Sequence, residues 1–232
     1  MSEPIIQARV ESITPLTDSI LQLMLKPDVY IDYQAGQYLQ MLFENEAFSY
    51  SIANAPLGSR QYELHIRHSR DNPYHQPLFA HIKRHGVVSL RLPLGECHVN
   101  KLDPAKPILF IAGGTGFAPI KAMIEQLLAD GAPRPFELFW GARTQSDLYM
   151  DEKTKHWQTY VKHFEYFPHQ SDSHEGTLVE RVLVRHCRNL LDWQIVIGGP
   201  FDMAYHIRDA LMAEGVLKHN LFSDAFDFLD TK

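Results

Sequence analysis

The sequence predicts two unlike halves: an N-terminal six-stranded antiparallel barrel, then a five-stranded parallel sheet with helices on both faces. Three observations predict it. The first hundred or so residues form short runs rich in β-branched and aromatic residues, separated by turn signals. After Asp103-Pro104 the rhythm changes, and strand-like runs alternate with helix-like ones, the pattern of a parallel sheet covered by helices. The 232 residues suffice for two compact units of about 100–130 residues each. The division is placed at 1–102 and 103–232.

In the first half, strands are expected at Ile5–Ile13, Ser19–Lys26, Gln37–Phe43, Ser49–Asn54, Tyr62–His68 and Val87–Leu92. Lys26-Pro27-Asp28, Ala35-Gly36 and Pro56-Leu57-Gly58 mark turns between them. One helix is expected around Pro77–His85, and short strands with one helical insert make a small barrel. In the second half, strands are expected at Pro107–Ala112, Phe136–Trp140, Phe164–Pro168, Gln194–Ile197 and Asn220–Phe226. Helices are expected between them at Pro119–Ala129, Leu148–Tyr160, Leu178–His186 and Phe201–Glu214.

Composition narrows the function. Apolar residues at 45% and charged residues at 22% describe a chain that buries real cores. A net charge of −6 without a clustered Lys/Arg excess argues against a nucleic-acid surface. The two cysteines, Cys97 and Cys187, cannot ligate an iron–sulfur cluster that needs four. Any electron carrier is therefore organic or borrowed. The opening residues lack the charged and apolar regions of a signal peptide. No run approaches 18 apolar residues, so no membrane span is expected and the cytoplasm is the expected compartment.

The strongest local signal is the run Ile108-Leu109-Phe110-Ile111-Ala112-Gly113-Gly114-Thr115-Gly116-Phe117-Ala118-Pro119. An apolar strand enters three glycines and then an amphipathic helix. Glycine permits positive φ and a close approach to backbone. A helix start offers N–H groups and partial positive charge to a pyrophosphate. Pro119 suits the first helical turn, where a missing N–H costs nothing. The spacing is not Gly-x-Gly-x-x-Gly, and no acidic residue follows at the end of the second strand. That strand instead ends in Trp140-Gly141-Ala142-Arg143, whose arginine can pair with a 2′-phosphate. A second cluster, Gly198-Gly199-Pro200-Phe201, ends the fourth parallel strand. Ligands in open parallel sheets sit beyond such strand ends. Each glycine loop taken alone is also compatible with an ordinary strand-to-helix turn.

These segments, with Ala35-Gly36-Gln37-Tyr38, Tyr50-Ser51-Ile52-Ala53-Asn54, Glu63-Leu64-His65-Ile66, Leu92-Pro93-Leu94-Gly95-Glu96 and Phe222-Ser223-Asp224-Ala225-Phe226, stand in one order along nearly the whole chain. In that order the chain resembles the NAD(P)H-flavin reductases of the ferredoxin–NADP reductase superfamily. The resemblance implies a flavin-binding barrel followed by a pyridine-nucleotide domain. It implies flavin contacts at Phe48, Ser49, Tyr50, Ser51, Ile52, His65, Ile66 and Thr115. It implies NAD(P) contacts at Gly113, Gly114, Thr115, Gly116, Phe117, Trp140, Gly141, Arg143, Gly198, Gly199, Pro200 and Phe201. Ser51 matches the family serine whose hydroxyl reaches flavin N5, the atom that takes the hydride. Asp224 matches an acidic position close to the reacting rings, where a carboxylate orients the nicotinamide amide or influences proton supply.

The chain departs from the family at two phosphate-holding devices. The arginine of the Arg-x-[Tyr/Phe]-Ser segment is Phe48 here, and Arg67–His81 lacks the Gly-x-x-[Ser/Thr] element that grips the FAD pyrophosphate. The expectation is therefore a loosely held flavin (riboflavin, FMN or FAD), with Arg67 or Arg70 as a substitute cation. Gly198 replaces a cysteine found in many members, leaving space beside the nicotinamide.

The expected reaction is hydride transfer from NADH or NADPH to flavin, and reduced flavin then leaves for a monooxygenase or ferric acceptor. One alternative is an FAD-holding reductase that passes electrons to a ferredoxin or oxygenase partner. Another is a non-catalytic nucleotide-binding subunit. No metal site is expected. His81 and His85 have ligand spacing on a helix but no third ligand. Met123, Leu127 and Leu128 read as core.

Overall fold

The computed structural model describes residues 3–68, 75–172 and 176–226. Its first half is a six-stranded antiparallel sheet of β1 (Ile5–Thr17), β2 (Ile20–Pro27), β3 (Tyr38–Phe43), β4 (Glu46–Ser51), β5 (Tyr62–Arg67) and β6 (Val87–Leu94). The strand order is β4-β3-β6-β1-β2-β5. A bridge between Ile52 and Leu64 brings the two edge strands together, so the sheet curls into a barrel. Leu23, Leu39, Leu64 and Leu90 fill its interior. Helix α1 (His75–His85) covers one end with Leu78 and Ile82, both buried in the same core.

The fourth strand corrects the expectation. It begins at Glu46, not Ser49, and ends at Ser51. Phe43 pairs with Glu46, which leaves a two-residue hairpin of Glu44 and Asn45 with Glu44 at φ 53°. Such hairpins need positive φ, and glutamate gives no sign of it in sequence. Ile52 and Ala53 have left β4. Their amides donate to Gln37 O and Glu63 O, which turns this segment toward the second half.

The second half is a parallel sheet of β7 (Ile108–Gly113), β8 (Phe136–Ala142), β9 (Phe164–Gln170), β10 (Gln194–Gly198) and β11 (Leu221–Phe222). Its order is β11-β10-β7-β8-β9. β7 is buried along its whole length, which explains its uninterrupted apolar sequence. Its side chains alternate between two cores. Ile108 and Phe110 pack with Phe117 and Ile120 of α2 (Phe117–Ala129) and Trp157 of α3 (Asp151–Tyr160). Leu109 and Ile111 face Val182 of α4 (Leu178–His186) and Ile207 of α5 (Phe201–Ala213). The expected strand Asn220–Phe226 shortens to Leu221–Phe222, followed by a 3₁₀ turn at Asp224–Phe226. α3 starts at Asp151, three residues after its expected start at Leu148.

Candidate active site

The strand order reverses between β7 and β10, and the two glycine clusters follow those neighbouring strands. A cleft of about 870 Å³ opens there, between the barrel and the parallel sheet. It has the size and position of a ligand site in this architecture.

The barrel contributes Ser49, Tyr50 and Ser51 at the end of β4, and His65 and Arg67 on β5. Ser51 pairs through its backbone with Tyr38 across the sheet. Among the described residues, none hydrogen-bonds its hydroxyl, which is half-buried on the cleft wall. The parallel sheet contributes Gly113, Gly114, Thr115 and Gly116, then Gly141 and Arg143, then Gly198, Gly199, Pro200 and Phe201. Asp224 completes the lining from the C-terminal side. Fifteen of the expected site residues thus share one cavity.

Five others stand behind it. Ile52 and Ile66 are fully buried in the barrel core, and Phe48 packs against that core. On β4, Phe48 and Ser49 point to opposite faces, so the residue in the arginine position turns away from the opening. Phe117 and Trp140 stack on each other at 3.9 Å, buried beneath the glycine loop. The Trp140 indole donates to Gly114 O at 3.0 Å, so this pair fixes the loop from below.

The glycines have a packing reason beside the positive φ expected, which Gly114 and Gly199 adopt. A Cβ on Gly116 would lie 2.2 Å from the carbonyl carbon of Gly198, and one on Gly198 would lie 2.3 Å from Gly116 O. The two loops press backbone on backbone, and glycine serves that contact before it serves any ligand. Gly114, at φ 53°, faces the barrel, where the Arg67 guanidinium lies 3.2 Å from the place a Cβ would take. Arg67, one of the two substitute cations expected from the sequence, is thus the barrel cation that reaches the glycine loop. Arg70 lies outside the described residues.

Asp224 Oδ1 accepts the Cys97 amide at 3.2 Å. A Cβ on Gly95 would come within 2.9 Å of the same oxygen. The carboxylate therefore pins the Gly95–Cys97 turn against the C-terminal segment. Met203 was not expected from the sequence. Its sulfur would lie 2.3 Å from a Cβ on Gly113, and it lines the cleft. Among the described residues, no three His, Cys, Asp or Glu side chains form a metal site. The His81 and His85 rings lie against each other, centroids 4.5 Å apart and tilted by 36°.

An oxidoreductase NAD-binding domain family matches residues 110–209. Over its full length the chain is similar to an NAD(P)H-flavin reductase of Vibrio harveyi: 29% identity over 237 residues, 97% of this chain and 99% of that one. The matched family and this full-length likeness agree on an oxidoreductase with a nicotinamide-nucleotide domain and similarity to flavin reductases. The chain is also similar to the terephthalate 1,2-dioxygenase reductase component 1 of Comamonas, 32% identical over 216 residues. That match covers 90% of this chain but 63% of the relative, so the chain spans less than two thirds of its length. The same fold is found in the ferredoxin reductase of carbazole 1,9a-dioxygenase. Its TM-score is 0.78 at 23% identity, covering 96% of this chain and 69% of that structure.

Proposed function

We propose that this chain is an NAD(P)H-dependent flavin reductase, with residues 1–102 holding the flavin and residues 103–232 the nicotinamide nucleotide. One observation carries the reading: Ser49–Ser51 of the barrel and both glycine loops of the parallel sheet open onto one cleft. The residues present fit the two ligands. A serine hydroxyl without a partner among the described residues, a crowded glycine loop at a helix start and two arginines surround a cavity large enough for two stacked rings.

Bound there, a nicotinamide would supply a hydride from C4 to the N5 of a flavin. The chain's own work is placement. The Ser51 hydroxyl orients the accepting ring. Gly113–Gly116 and the start of α2 hold the pyrophosphate, and Arg67 adds positive charge on the barrel side. Gly198 and Gly199 leave a flat floor for the nicotinamide. Arg143, at the end of β8, is placed for a 2′-phosphate. Asp224 acts by holding the Gly95–Cys97 turn beside the rings.

The apolar Phe48 supports a flavin that comes and goes as substrate. In this reading reduced flavin leaves for a flavin-using monooxygenase or a ferric acceptor, in the cytoplasm. Among the described residues no helix is long and apolar enough to cross a membrane. A second reading is a reductase that keeps FAD and passes electrons to an oxygenase system; the Comamonas relative and the position of Arg67 favour it. Steady-state oxidation of NADH and NADPH with riboflavin, FMN and FAD tests the proposal. Turnover with free riboflavin supports it, and no oxidation with any flavin overturns it. A yellow protein that keeps one FAD per chain through gel filtration selects the second reading.

A further inference from the structure

A buried polar cluster crosses the seam between the two halves. Lys121 of α2 is 1% exposed. Its ammonium donates to Ala53 O at 2.8 Å and Glu63 Oε2 at 2.9 Å, and pairs with Glu125 Oε1 at 3.0 Å. Three oxygens thus take the three protons of one ammonium. Ala53 and Glu63 belong to the barrel, so the lysine pins one half to the other. The second Glu63 oxygen accepts from Gln22 at 2.7 Å and from His65 Nε2 at 2.8 Å. His65 Nδ1 lies 3.0 Å from the Tyr149 hydroxyl, which returns the chain of bonds to the second half. Tyr149 packs edge-on against Trp140, the residue bonded to the glycine loop.

The partners settle the His65 protons. Burial pushes Glu63 up, but the bond from His65 and the charge of Lys121 more than reverse this and hold it at about 2. Glu63 is therefore a carboxylate, and Nε2 carries the proton donated to it. Burial holds Tyr149 well above its ordinary value, so its hydroxyl keeps its proton and donates it to Nδ1. Burial also lowers His65, against the pull of Glu63. Both ring nitrogens are engaged inside the protein, and the side chain is closed off from solvent although His65 lines the cleft.

We propose that Lys121, Glu63, His65 and Tyr149 form an interdomain clamp that fixes the separation of the two cleft walls, with His65 as a neutral, non-donating part of the wall. The proposal rests on the flavin-reductase reading for its consequence. The clamp would keep the barrel wall and the sheet wall at the separation that hydride transfer requires, and His65 would give no proton to a bound flavin. All four are positioning residues.

The test uses the full chain with ¹⁵N-labelled histidine and no ligand. The titratable or charged groups around His65 are Glu63 and Arg67 on its own strand, Lys121 and Glu125 on α2, and Tyr149. The expected spectrum is an Nε2–H tautomer, still neutral at about pH 6, where an exposed histidine is largely charged. Tyr149→Phe keeps the ring packing and removes the donor. It is expected to raise the His65 titration midpoint. It also slows hydride transfer at saturating ligands by about tenfold, with the nucleotide KM changed less than about twofold. An Nδ1–H or charged His65 overturns the clamp, as does a wild-type transfer rate in Tyr149→Phe. If the unaltered chain oxidises neither nucleotide with any flavin, the reductase reading fails and the tautomer alone decides the clamp.

Discussion

Ser51 and Gly116 show how a side chain and its absence do different work in one cleft. Ser51 offers a hydroxyl with no partner among the described residues, so its removal costs no internal bond. Ser51→Ala is expected to lower the rate of flavin reduction by about tenfold or more, while the melting temperature stays within a degree or two. An unchanged rate with riboflavin would remove the residue from the mechanism. Gly116 is different, because a Cβ there meets the Gly198 backbone. Gly116→Val is expected to raise the nucleotide KM and cost about 1–3 kcal/mol of stability together, since the loops must part to admit it. A urea titration alongside the kinetics separates this from a defect in binding alone. Sequence revealed both residues through local pattern. It did not reveal Lys121, although a signal was present: Lys121 follows Phe117 by four and precedes Ile124 by three, which puts a charge on the apolar stripe of α2. What it pairs with, Glu63, lies 58 residues away and is fixed only by the docking of the two halves.

Elements were legible where their own chemistry declares them. α4 runs over Leu178–His186 as expected, because Thr177 and Glu180 form a reciprocal capping box at its start. β7 announces itself by an unbroken apolar run. The β3–β4 hairpin does not, because its left-handed residue is Glu44 rather than glycine or asparagine. That conformation is strained for glutamate, so Glu44→Gly is expected to stabilise the protein by about 0.5–1 kcal/mol. The check is a higher urea midpoint at unchanged slope. A lower midpoint would mean that the Glu44 side chain contributes more than its backbone costs. The last strand was overread for the opposite reason. Leu221 and Phe222 pair with Ile195 and Val196, after which the chain turns so that Asp224 can reach Cys97.

For the whole molecule, the seam between the halves ties folding to acidity. Glu63 is a stronger acid in the fold, at about 2, than its ordinary 4.5. The unfolded chain therefore binds this proton first, and the stability it contributes is full above about pH 4.5 and lost as pH falls toward 2. His65, lowered by burial, acts in the same direction and begins below its ordinary 6.5. Glu137 is likewise lowered: burial raises it, but bonds from His186 and Arg185 reverse this. Urea midpoints are expected to fall steadily from pH 6.5 to 3.5, and a flat profile would contradict these buried charges. The change of rhythm after Asp103 conveys the two-part plan, but the angle between the parts depends on contacts that span the chain.

Trp140 turns the glycine loop into an optical reporter. Of the three tryptophans, it alone is bonded to a residue of that loop, while Trp157 lies on α3 and Trp193 precedes β10. A nucleotide bound on Gly113–Gly116, as proposed, would alter the indole that supports Gly114. Titration of either nucleotide into the flavin-free protein is expected to quench intrinsic fluorescence at saturation. Trp140→Phe should abolish that signal, whereas Trp157→Phe should leave it intact. Occupancy of the cleft would then be readable in the ultraviolet before any hydride moves and without a coloured cofactor in the cuvette.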